Sequence, residues 1–490
     1  MILLEGEEKF INKILSIILI GILTISGLGT GAISIKTPIK QSSSNEYDMV
    51  IIAPNQFSNT LQPLITHKNS VGIHTFFKTR EEIYGEYEGR DNAEQIKYFI
   101  KDAIEQFGIS YVLLLGNAEK IPVRYSYARN GSDSANTEPF ISDLYYADIY
   151  DSNGSFCSWD SNKNNKFAET SFIEHPIMNE YIILDDVDLF PDVHIGRLLC
   201  NNNTEVNIVI NKIINYESNG VDESWFNNLI LFGGNNHPLA NEIFNLFVIK
   251  ILLRYSNYNL LPAWEGEYLC DMVENLMENF YSKKFYASSV TFKFLNNLRE
   301  TQIPTVEEIN KAIYTGAGFV LFSAHGSPEA FGTYPPMHHN IESIIPSPSG
   351  YSISALKNLN NNEKLPIIVL GACSCGDFSI IDGVSSPIAW EFVKHDKGGA
   401  IATFAFTSEA WTDIGTQYVK SKVGYLCYHL FKAYKNGKDN TGELLTNAIT
   451  DYLNDEHALC EANGPLPYHY SDIQMLSLFG DPSLKIGGYS

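Results

Sequence analysis

The fold is decided by residues 365–378, LPIIVLGACSCGDF, in which a short apolar run ends at a cysteine between small residues. The run at 365–370 is rich in branched side chains and predicts a strand that is buried on both faces, as in a parallel sheet. Cys373 follows this strand, at the position where open α/β sheets bind their ligands. The stretch therefore predicts a functional thiol at the carboxyl edge of a parallel sheet.

A second stretch, GFVLFSAHGS at residues 318–327, repeats the arrangement and places His325 48 positions (373 − 325) before Cys373. Two adjacent parallel strands would bring the His325 imidazole beside the Cys373 thiol. A thiolate is a strong nucleophile once a neighbouring imidazole lowers its pKa. Two backbone N–H groups can hold the oxyanion of the resulting intermediate, and those of Gly326 and Cys373 are the candidates. The pair predicts cysteine-based nucleophilic chemistry.

From residue 47 onward, patterns typical of strands and helices alternate, with apolar runs at 49–54 and 111–116 and helical spacing at 92–107. This alternation predicts an α/β fold of mostly parallel strands flanked by helices. Residues 218–220, SNG, are a plausible boundary. The expected organisation is an N-terminal subdomain at 47–220 and a catalytic subdomain at 221–490, each with its own mostly parallel sheet.

The first 46 residues have a different character. Residues 11–33 are strongly apolar and then rich in small residues, and Lys9 and Lys13 stand at their start. This order fits a secretory signal peptide at 1–33, and an uncleaved anchor of about 20 residues is the alternative. Residues 34–46 would be a linker. Either interpretation predicts an exported protein, secreted or at the extracellular cell surface, with possible membrane anchoring through this segment.

The composition excludes some classes of function. The 490 residues carry a net charge of −23 and are 44% hydrophobic, which describes an acidic globular protein. No basic stripe is available to neutralise phosphates, so nucleic acid is not an expected partner. The seven cysteines are too sparse to frame a disulfide-rich domain. The six besides Cys373 could pair, but buried free thiols are expected for most of them.

A polar insertion at residues 148–188 contains a candidate calcium loop. Oxygen-bearing side chains alternate at Asp160, Asn162 and Asn164, and Glu169 lies behind them, an order that suits calcium. The glycine and the closing glutamate of an EF-hand are both missing, so a solvated polar loop is the alternative. Calcium is expected only as a possible structural ion, because Cys–His chemistry requires no cofactor.

Cys375 allows two other interpretations of the cysteine stretch. It could itself be the nucleophile, or Cys373 and Cys375 could bind a metal together with His338 and His339. A complete zinc site usually shows a second paired ligand set at a defined spacing, and none is evident here.

The stretches AHGS (324–327) and GACSCGDF (371–378) resemble the gingipain family of cysteine peptidases, which are relatives of caspases and legumains. Residues 111–122, 192–197 and 478–484 are also similar to that family, so the resemblance covers roughly 47–486. It implies a caspase-like α/β fold in two subdomains and endopeptidase activity on protein or peptide substrates.

The resemblance also implies roles for individual residues. Cys373 matches the family nucleophile, and the preference for Cys373 over Cys375 rests mainly on this match. His325 matches the general base, and Asp192 the acidic residue that orients it. Trp411 matches an aromatic residue that covers the P1 side chain.

Two acidic residues are candidates for the floor of a P1 pocket. Asp413 lies two residues after Trp411, and Glu205 lies on the helix after the Asp192 strand. A carboxylate there would favour Lys or Arg at P1. The sequence thus predicts an exported cysteine endopeptidase. A transpeptidase of the sortase type and a surface binding module with a decayed site are the alternatives.

Overall fold

A ten-stranded sheet organises the computed structural model, which describes residues 46–128, 138–173, 180–234, 236, 265–287, 305–333, 350–379, 386–413, 418–455 and 466–489. The predicted leader at 1–33 and nearly all of the predicted linker at 34–46 lie outside these residues. Among the helices that are described, none combines the length and the apolar character needed to cross a membrane.

The strands of the large sheet are β1 (Met49–Ala53), β2 (Thr75–Thr79), β3 (Tyr111–Leu115), β8 (His194–Leu198), β9 (Asn228–Gly233), β10 (Tyr281–Tyr286), β11 (Phe319–Ser323), β15 (Ile367–Gly371), β16 (Ala402–Phe406) and β17 (Leu476–Phe479). Seven short strands form small ladders beside it: β4 (Tyr125–Ser126), β5 (Phe140–Ile141), β6 (Thr170–Ile173), β7 (Glu180–Ile183), β12 (His325–Ser327), β13 (Ala330–Gly332) and β14 (Gly350–Ser352).

The helices are α1 (Ser58–Ser70), α2 (Arg80–Glu86), α3 (Asn92–Phe107), α4 (Asn203–Asn219), α5 (Glu223–Phe226), α6 (Glu265–Leu276), α7 (Val306–Thr315), α8 (Ile353–Leu356), α9 (Ile388–Lys394), α10 (Lys422–Lys435), α11 (Thr441–Asn454) and α12 (Leu466–Met475). Their starts follow capping rules. The Asp91 side chain accepts a hydrogen bond from the Glu94 amide at the start of α3, and Thr305 and Glu308 form a capping box at the start of α7.

The order of the strands is β10-β9-β11-β15-β16-β17-β8-β3-β1-β2. The strands from β10 to β16 pair in parallel, as do those from β8 to β2, and β17 is antiparallel to β16. β17 meets β8 at one register pair, Phe479 with Arg197. The strands predicted on the two sides of Gly220 are thus two halves of one continuous sheet. The predicted α/β class with mainly parallel strands is confirmed.

The central strands are buried on both faces, which explains their continuous apolar runs. Every residue of β1, β11, β15 and β16 is buried. Helices cover both faces of such a sheet, so only the strand ends and the following loops can hold polar groups that reach solvent. This places the functional groups at the carboxyl ends of the parallel strands.

Candidate active site

Three neighbouring strands end at the same level of the sheet. Gly233, Ser323 and Gly371, the last residues of β9, β11 and β15, lie in one register across parallel pairs. His325 and Cys373 each lie two residues beyond these ends, and the Ala324 amide donates to the Gly371 carbonyl at 3.1 Å. The predicted juxtaposition of the histidine and cysteine segments follows directly from this register.

The turn after β15 is fixed against the chain that leaves β16. The Ser374 amide donates to the Ser408 carbonyl at 2.8 Å, and the Gly376 amide donates to the Phe406 carbonyl at 2.9 Å. Ser374 has a φ of 54°, in the left-handed region that residues other than glycine seldom adopt. Such backbone conformations cost of order 1–3 kcal/mol, occur often at functional sites and persist only where the surrounding structure holds them. The turn therefore keeps its cysteines in a defined orientation.

The two cysteines of this turn differ in environment. Cys373 is partly exposed, and its Sγ donates to the Ala410 carbonyl at 3.4 Å. Cys375 is fully buried, and burial raises the pKa of its thiol far above the ordinary value. A thiol that stays protonated and away from solvent is a poor nucleophile. The geometry therefore favours Cys373 over the alternative nucleophile Cys375.

Gly326 packs directly on the cysteine turn. A Cβ added there would lie 2.6 Å from Cys375 Sγ and 2.9 Å from Ala372 Cβ, and it would also overlap the Cys373 carbonyl oxygen. Only glycine leaves room for this approach. Gly326 belongs to the β12–β13 hairpin together with His325, so the contact joins the histidine segment to the cysteine turn.

The His325 ring is oriented by a backbone carbonyl. Its Nε2 lies 2.7 Å from the Asn236 carbonyl oxygen, and Asn236 follows β9. A carbonyl only accepts hydrogen bonds, so Nε2 carries the hydrogen and Nδ1 is the nitrogen left to exchange a proton. The Asn236 Oδ1 in turn accepts a hydrogen bond from Thr333 Oγ1 at 3.1 Å.

The prediction that Asp192 orients His325 is wrong. Asp192 precedes β8, which is four places from β11 in the sheet, or about 19 Å at ordinary strand spacing. The Asp192 Oδ2 instead accepts hydrogen bonds from the amides of Ile149 and Tyr150 at 2.7 and 2.8 Å. Sequence reasoning missed Asn236 because its contribution is a main-chain atom. The only signal was the Gly233-Gly234 pair after a buried strand.

Trp411, the residue predicted to cover P1, directly follows the residue that contacts the candidate nucleophile. The preceding residue, Ala410, supplies the carbonyl that Cys373 contacts. The indole ring centroid is 4.2 Å from that of Tyr468, and the Trp411 amide donates to the buried Asp472 carboxylate at 3.1 and 3.2 Å. These contacts fix the position of the ring, and its role in substrate binding stays a prediction.

The two candidate floor residues already have protein partners. Asp413 forms an ion pair with Lys422 at 2.7 Å and accepts a hydrogen bond from Ser421. Glu205 accepts from the Asn201 amide at 2.7 Å, as a residue of the first turn of α4. Both carboxylates therefore have partners within the protein, and their role in selecting the P1 residue also stays a prediction.

The side chains of the candidate calcium loop already make contacts within the protein. Asp160 pairs with Arg90, and Glu169 pairs with Lys166 at 3.0 Å and accepts from Asn164 Nδ2 at 2.6 Å. Asn162 Oδ1 accepts from the Asn164 amide at 3.0 Å. Side-chain cations thus occupy both carboxylates of the set, and calcium binding stays a prediction.

The metal and disulfide alternatives gain no support from the described residues. No group of three or more His, Cys, Asp or Glu side chains among them could hold a metal ion. His338 and His339, the other ligands of the metal alternative, lie outside these residues. Cys157, Cys200, Cys270, Cys373, Cys375 and Cys427 are free thiols, as expected for most of the cysteines.

The fold and site together define a class: α/β proteins with a cysteine and a histidine at the carboxyl edge of a mainly parallel sheet. Within this class, residues 42–487 match peptidase family C25. Because the match covers most of the chain, the protein belongs to peptidase family C25.

Relatives are similar at low identity. Gingipain R2 of Porphyromonas gingivalis strain W83 and gingipain R1 of Porphyromonas gingivalis are each 22% identical over 349 residues. The alignments cover 70% of this chain but 34% and 25% of those proteins. This chain therefore spans about a third or less of the length of the curated relatives it matches.

Solved structures resemble the fold. The crystal structure of the Arg-specific cysteine proteinase gingipain R has a TM-score of 0.60 at 18% identity, over 92% of this chain and 80% of that one. The complex of Porphyromonas gingivalis RgpB pro- and mature domains has a TM-score of 0.59, also at 18% identity, over 90% and 79%. At this identity the likeness shows a common fold.

Proposed function

We propose that this protein is a cysteine endopeptidase, a hydrolase in which Cys373 is the nucleophile and His325 the general acid and base. The observation that carries the proposal is the register of β11 and β15, which places both residues just past adjacent strand ends. Membership of peptidase family C25 supports the same chemistry. Protein or peptide substrates follow from the reaction.

The mechanism uses the fixed tautomer of His325. Nδ1 takes the proton of the Cys373 thiol, and the thiolate attacks the scissile carbonyl carbon. The amides of Gly326 and Cys373 are the proposed donors to the oxyanion. The imidazolium then protonates the leaving amine as the C–N bond breaks. Water, activated by the neutral imidazole, finally hydrolyses the thioester and restores the thiol.

Substitution of each cysteine tests the assignment of the nucleophile. Cys373→Ala should abolish hydrolysis of a casein substrate, and Cys375→Ala should keep most of the activity because that thiol is buried. A thiol-directed acyloxymethyl ketone should label the wild type and Cys375→Ala, but not Cys373→Ala. An inactive Cys375→Ala beside an active Cys373→Ala would overturn the assignment. Failure of the wild type to react would favour a decayed binding module.

A preference for basic P1 residues is the proposed specificity. It is supported by the position of Trp411 beside Cys373 and by the acidic residues that follow, although Lys422 already neutralises Asp413. A library of fluorogenic peptides varied at P1 tests the preference, with Asp413→Asn and Glu205→Gln as variants. Best cleavage after an acidic or small apolar residue would refute it. A basic preference that neither variant changes would refute both residue assignments.

We also propose that the protein acts outside the cell, as the apolar character of residues 11–33 and the gingipain relatives suggest. Transpeptidation is the second candidate reaction, and it differs only in the acceptor: an amine attacks the acyl-enzyme in place of water. Product analysis by mass spectrometry with added glycine oligomers separates the two. Ligated products would show transfer, and free acids alone would show hydrolysis.

A further inference from the structure

We propose that this protein has a second binding site, for an uncharged oligosaccharide, in a cavity at the amino edge of the large sheet. The cavity has a volume of about 1020 Å³ and is lined by residues that precede β9, β11, β15 and β16. Cys373 and His325 follow the opposite ends of β15 and β11, and strands of five residues put about 17 Å between the two edges. The site is therefore separate from the candidate active site, and the inference does not rest on the proposed function.

Three asparagine side chains form a row along one wall of the cavity. Asn211, Asn215 and Asn219 are spaced four residues apart on α4, so they share one face of the helix at intervals of about 6 Å. All three are exposed. Each amide offers two N–H donors and an acceptor oxygen, which suits sugar hydroxyls because these both donate and accept. The interval is close to the length of one sugar unit in an extended β-1,4-linked chain.

An aromatic ring also lines the cavity. Tyr314, in the last turn of α7, is 55% exposed, and such a ring can pack on the apolar C–H face of a sugar while its hydroxyl stays in water. The turn after it is packed tightly, because a Cβ added to Gly316 would lie 2.7 Å from Trp225 Cβ and 2.9 Å from Lys364 Cδ. Ligand pockets combine aromatic surface with a few fixed polar groups in this way.

The charged residues of the cavity disfavour an anionic ligand. They are two lysines and three acids: Lys212, Lys364, Asp222, Glu363 and Asp396. The Lys212 Nζ donates to the carbonyls of Val393 and Gly398 at 2.5 and 2.7 Å, and burial lowers the pKa of this lysine to about 7. The Lys364 Nζ donates to the Thr315 carbonyl at 3.3 Å. Main-chain oxygens thus hold both lysines, whereas carboxylates accept hydrogen bonds from sugar hydroxyls.

A peptide is the other chain-like ligand that a cavity of this size could hold. Addition of a peptide strand requires an open sheet edge, but β9, β11, β15 and β16 each have a neighbouring strand on both sides. Helical and proline-rich peptides bind in apolar or aromatic grooves, and the wall formed by α4 is instead a row of amides. These features favour a sugar chain.

Calorimetric titration of the intact protein with short sugar chains tests the inference. Cellotetraose and chitotetraose are the probes, because both are extended β-1,4-linked chains. Maltotetraose is the matched control, because its α-1,4 links make the chain curve. We expect a Kd of about 1 mM or lower for at least one β-linked probe, and a Kd for maltotetraose that is higher by about tenfold or more.

Variants locate the binding. Asn215→Ala and Tyr314→Ala should each raise the Kd of the β-linked probe about tenfold, since each removes hydrogen bonds or ring contact. Tyr314→Phe keeps the ring and should raise it by less than about threefold. Asn454→Ala is the control, because Asn454 is an exposed asparagine of α11 that does not line the cavity, and it should leave the Kd unchanged.

The inference would be overturned if neither β-linked probe bound, or if Asn215→Ala and Tyr314→Ala left the binding unchanged. Equal affinity for maltotetraose would also overturn it, because the spacing of the amides would then select nothing. Tetralysine that bound in the cavity more tightly than either β-linked probe would show a peptide site instead. Bacterial cell-wall glycan and the core of N-linked glycans share the β-1,4 linkage, and competition of each with bound chitotetraose would identify the source of the ligand.

Discussion

Gly326→Ala should damage catalysis far more than folding. The new methyl group would lie 2.6 Å from Cys375 Sγ and 2.9 Å from Ala372 Cβ, and it would overlap the Cys373 carbonyl oxygen. Ordinary contacts between such heavy atoms are about 3.5–4.0 Å. The hairpin that carries His325 and the turn that carries Cys373 must therefore separate by roughly 1 Å, which changes the position of the imidazole relative to the thiol.

The size of the effect follows from this displacement. Overpacking of this kind lowers the free energy of unfolding by about 1–3 kcal/mol, which leaves most single-domain proteins folded. A misplacement of about 1 Å between catalytic groups can cost roughly 100-fold in rate, or about 2.7 kcal/mol of transition-state stabilisation. We therefore expect a folded enzyme whose kcat/KM has fallen about 100-fold.

The assay compares kcat/KM per titrated active site for Gly326→Ala, wild type and Gly85→Ala. Gly85 is a matched control because a Cβ there meets nothing within 4 Å, so that variant should keep full activity. Adding Cys375→Ala to Gly326→Ala removes the sulfur contact and leaves the overlap with the Cys373 carbonyl. The double variant should recover only in part. Wild-type kcat/KM in Gly326→Ala would refute the reasoning, because the close approach of the two segments would then be irrelevant to catalysis.

Three further predictions concern stability. Lys68→Met should lower the free energy of unfolding by about 3–5 kcal/mol. The reason is that Lys68 Nζ is fully buried and lies 2.9 Å from the Glu217 carboxylate and 2.7 Å from the Asp481 carboxylate. A urea midpoint equal to that of the wild type would contradict this prediction. Burial lowers the pKa of His469 to about 4, so on acidification the unfolded chain binds a proton at this residue before the folded protein does. The free energy of unfolding should therefore fall as pH drops from about 6.5 to 4. In His469→Gln, the free energy of unfolding measured in urea should depend less on pH in this range. If the loop with Asp160 and Glu169 binds calcium, the melting temperature should be higher in calcium than in chelator, and equal melting curves would remove the calcium prediction.

The parts of the fold that the sequence predicts well are those governed by burial. The first four residues of β11 and of β15 all have branched aliphatic or aromatic side chains, as is typical of a strand that is buried on both faces. The glycines and alanines after these runs marked the positions where two segments approach closely, as the contact of Gly326 with the cysteine turn shows. Burial and the close approach of two backbone segments both restrict which residue types can occupy a position, so both can be predicted from the sequence.

The order of the strands in the sheet does not restrict residue type in this way, and the wrong prediction that Asp192 orients His325 follows from this. The role of Asp192 was implied by the resemblance to the gingipain family, and local sequence does not say that three strands separate β8 from β11. The continuity of the sheet through β17 was hidden for the same reason, because that strand comes from the far end of the chain.

The group that accepts the hydrogen bond from His325 cannot be predicted from residue type, for a more general reason. Every residue has a carbonyl, so only its position can make one functional, and that position depends on the register of β9 with β11 and on a hydroxyl at Thr333. A neutral acceptor from the backbone orients the imidazole without adding a charge at that nitrogen, and so it avoids the desolvation cost of burying a charged partner there. Asp192→Asn should for this reason leave kcat/KM close to that of the wild type, because the Asp192 carboxylate accepts hydrogen bonds from the amides of Ile149 and Tyr150; a large loss of kcat/KM in a folded variant would contradict this.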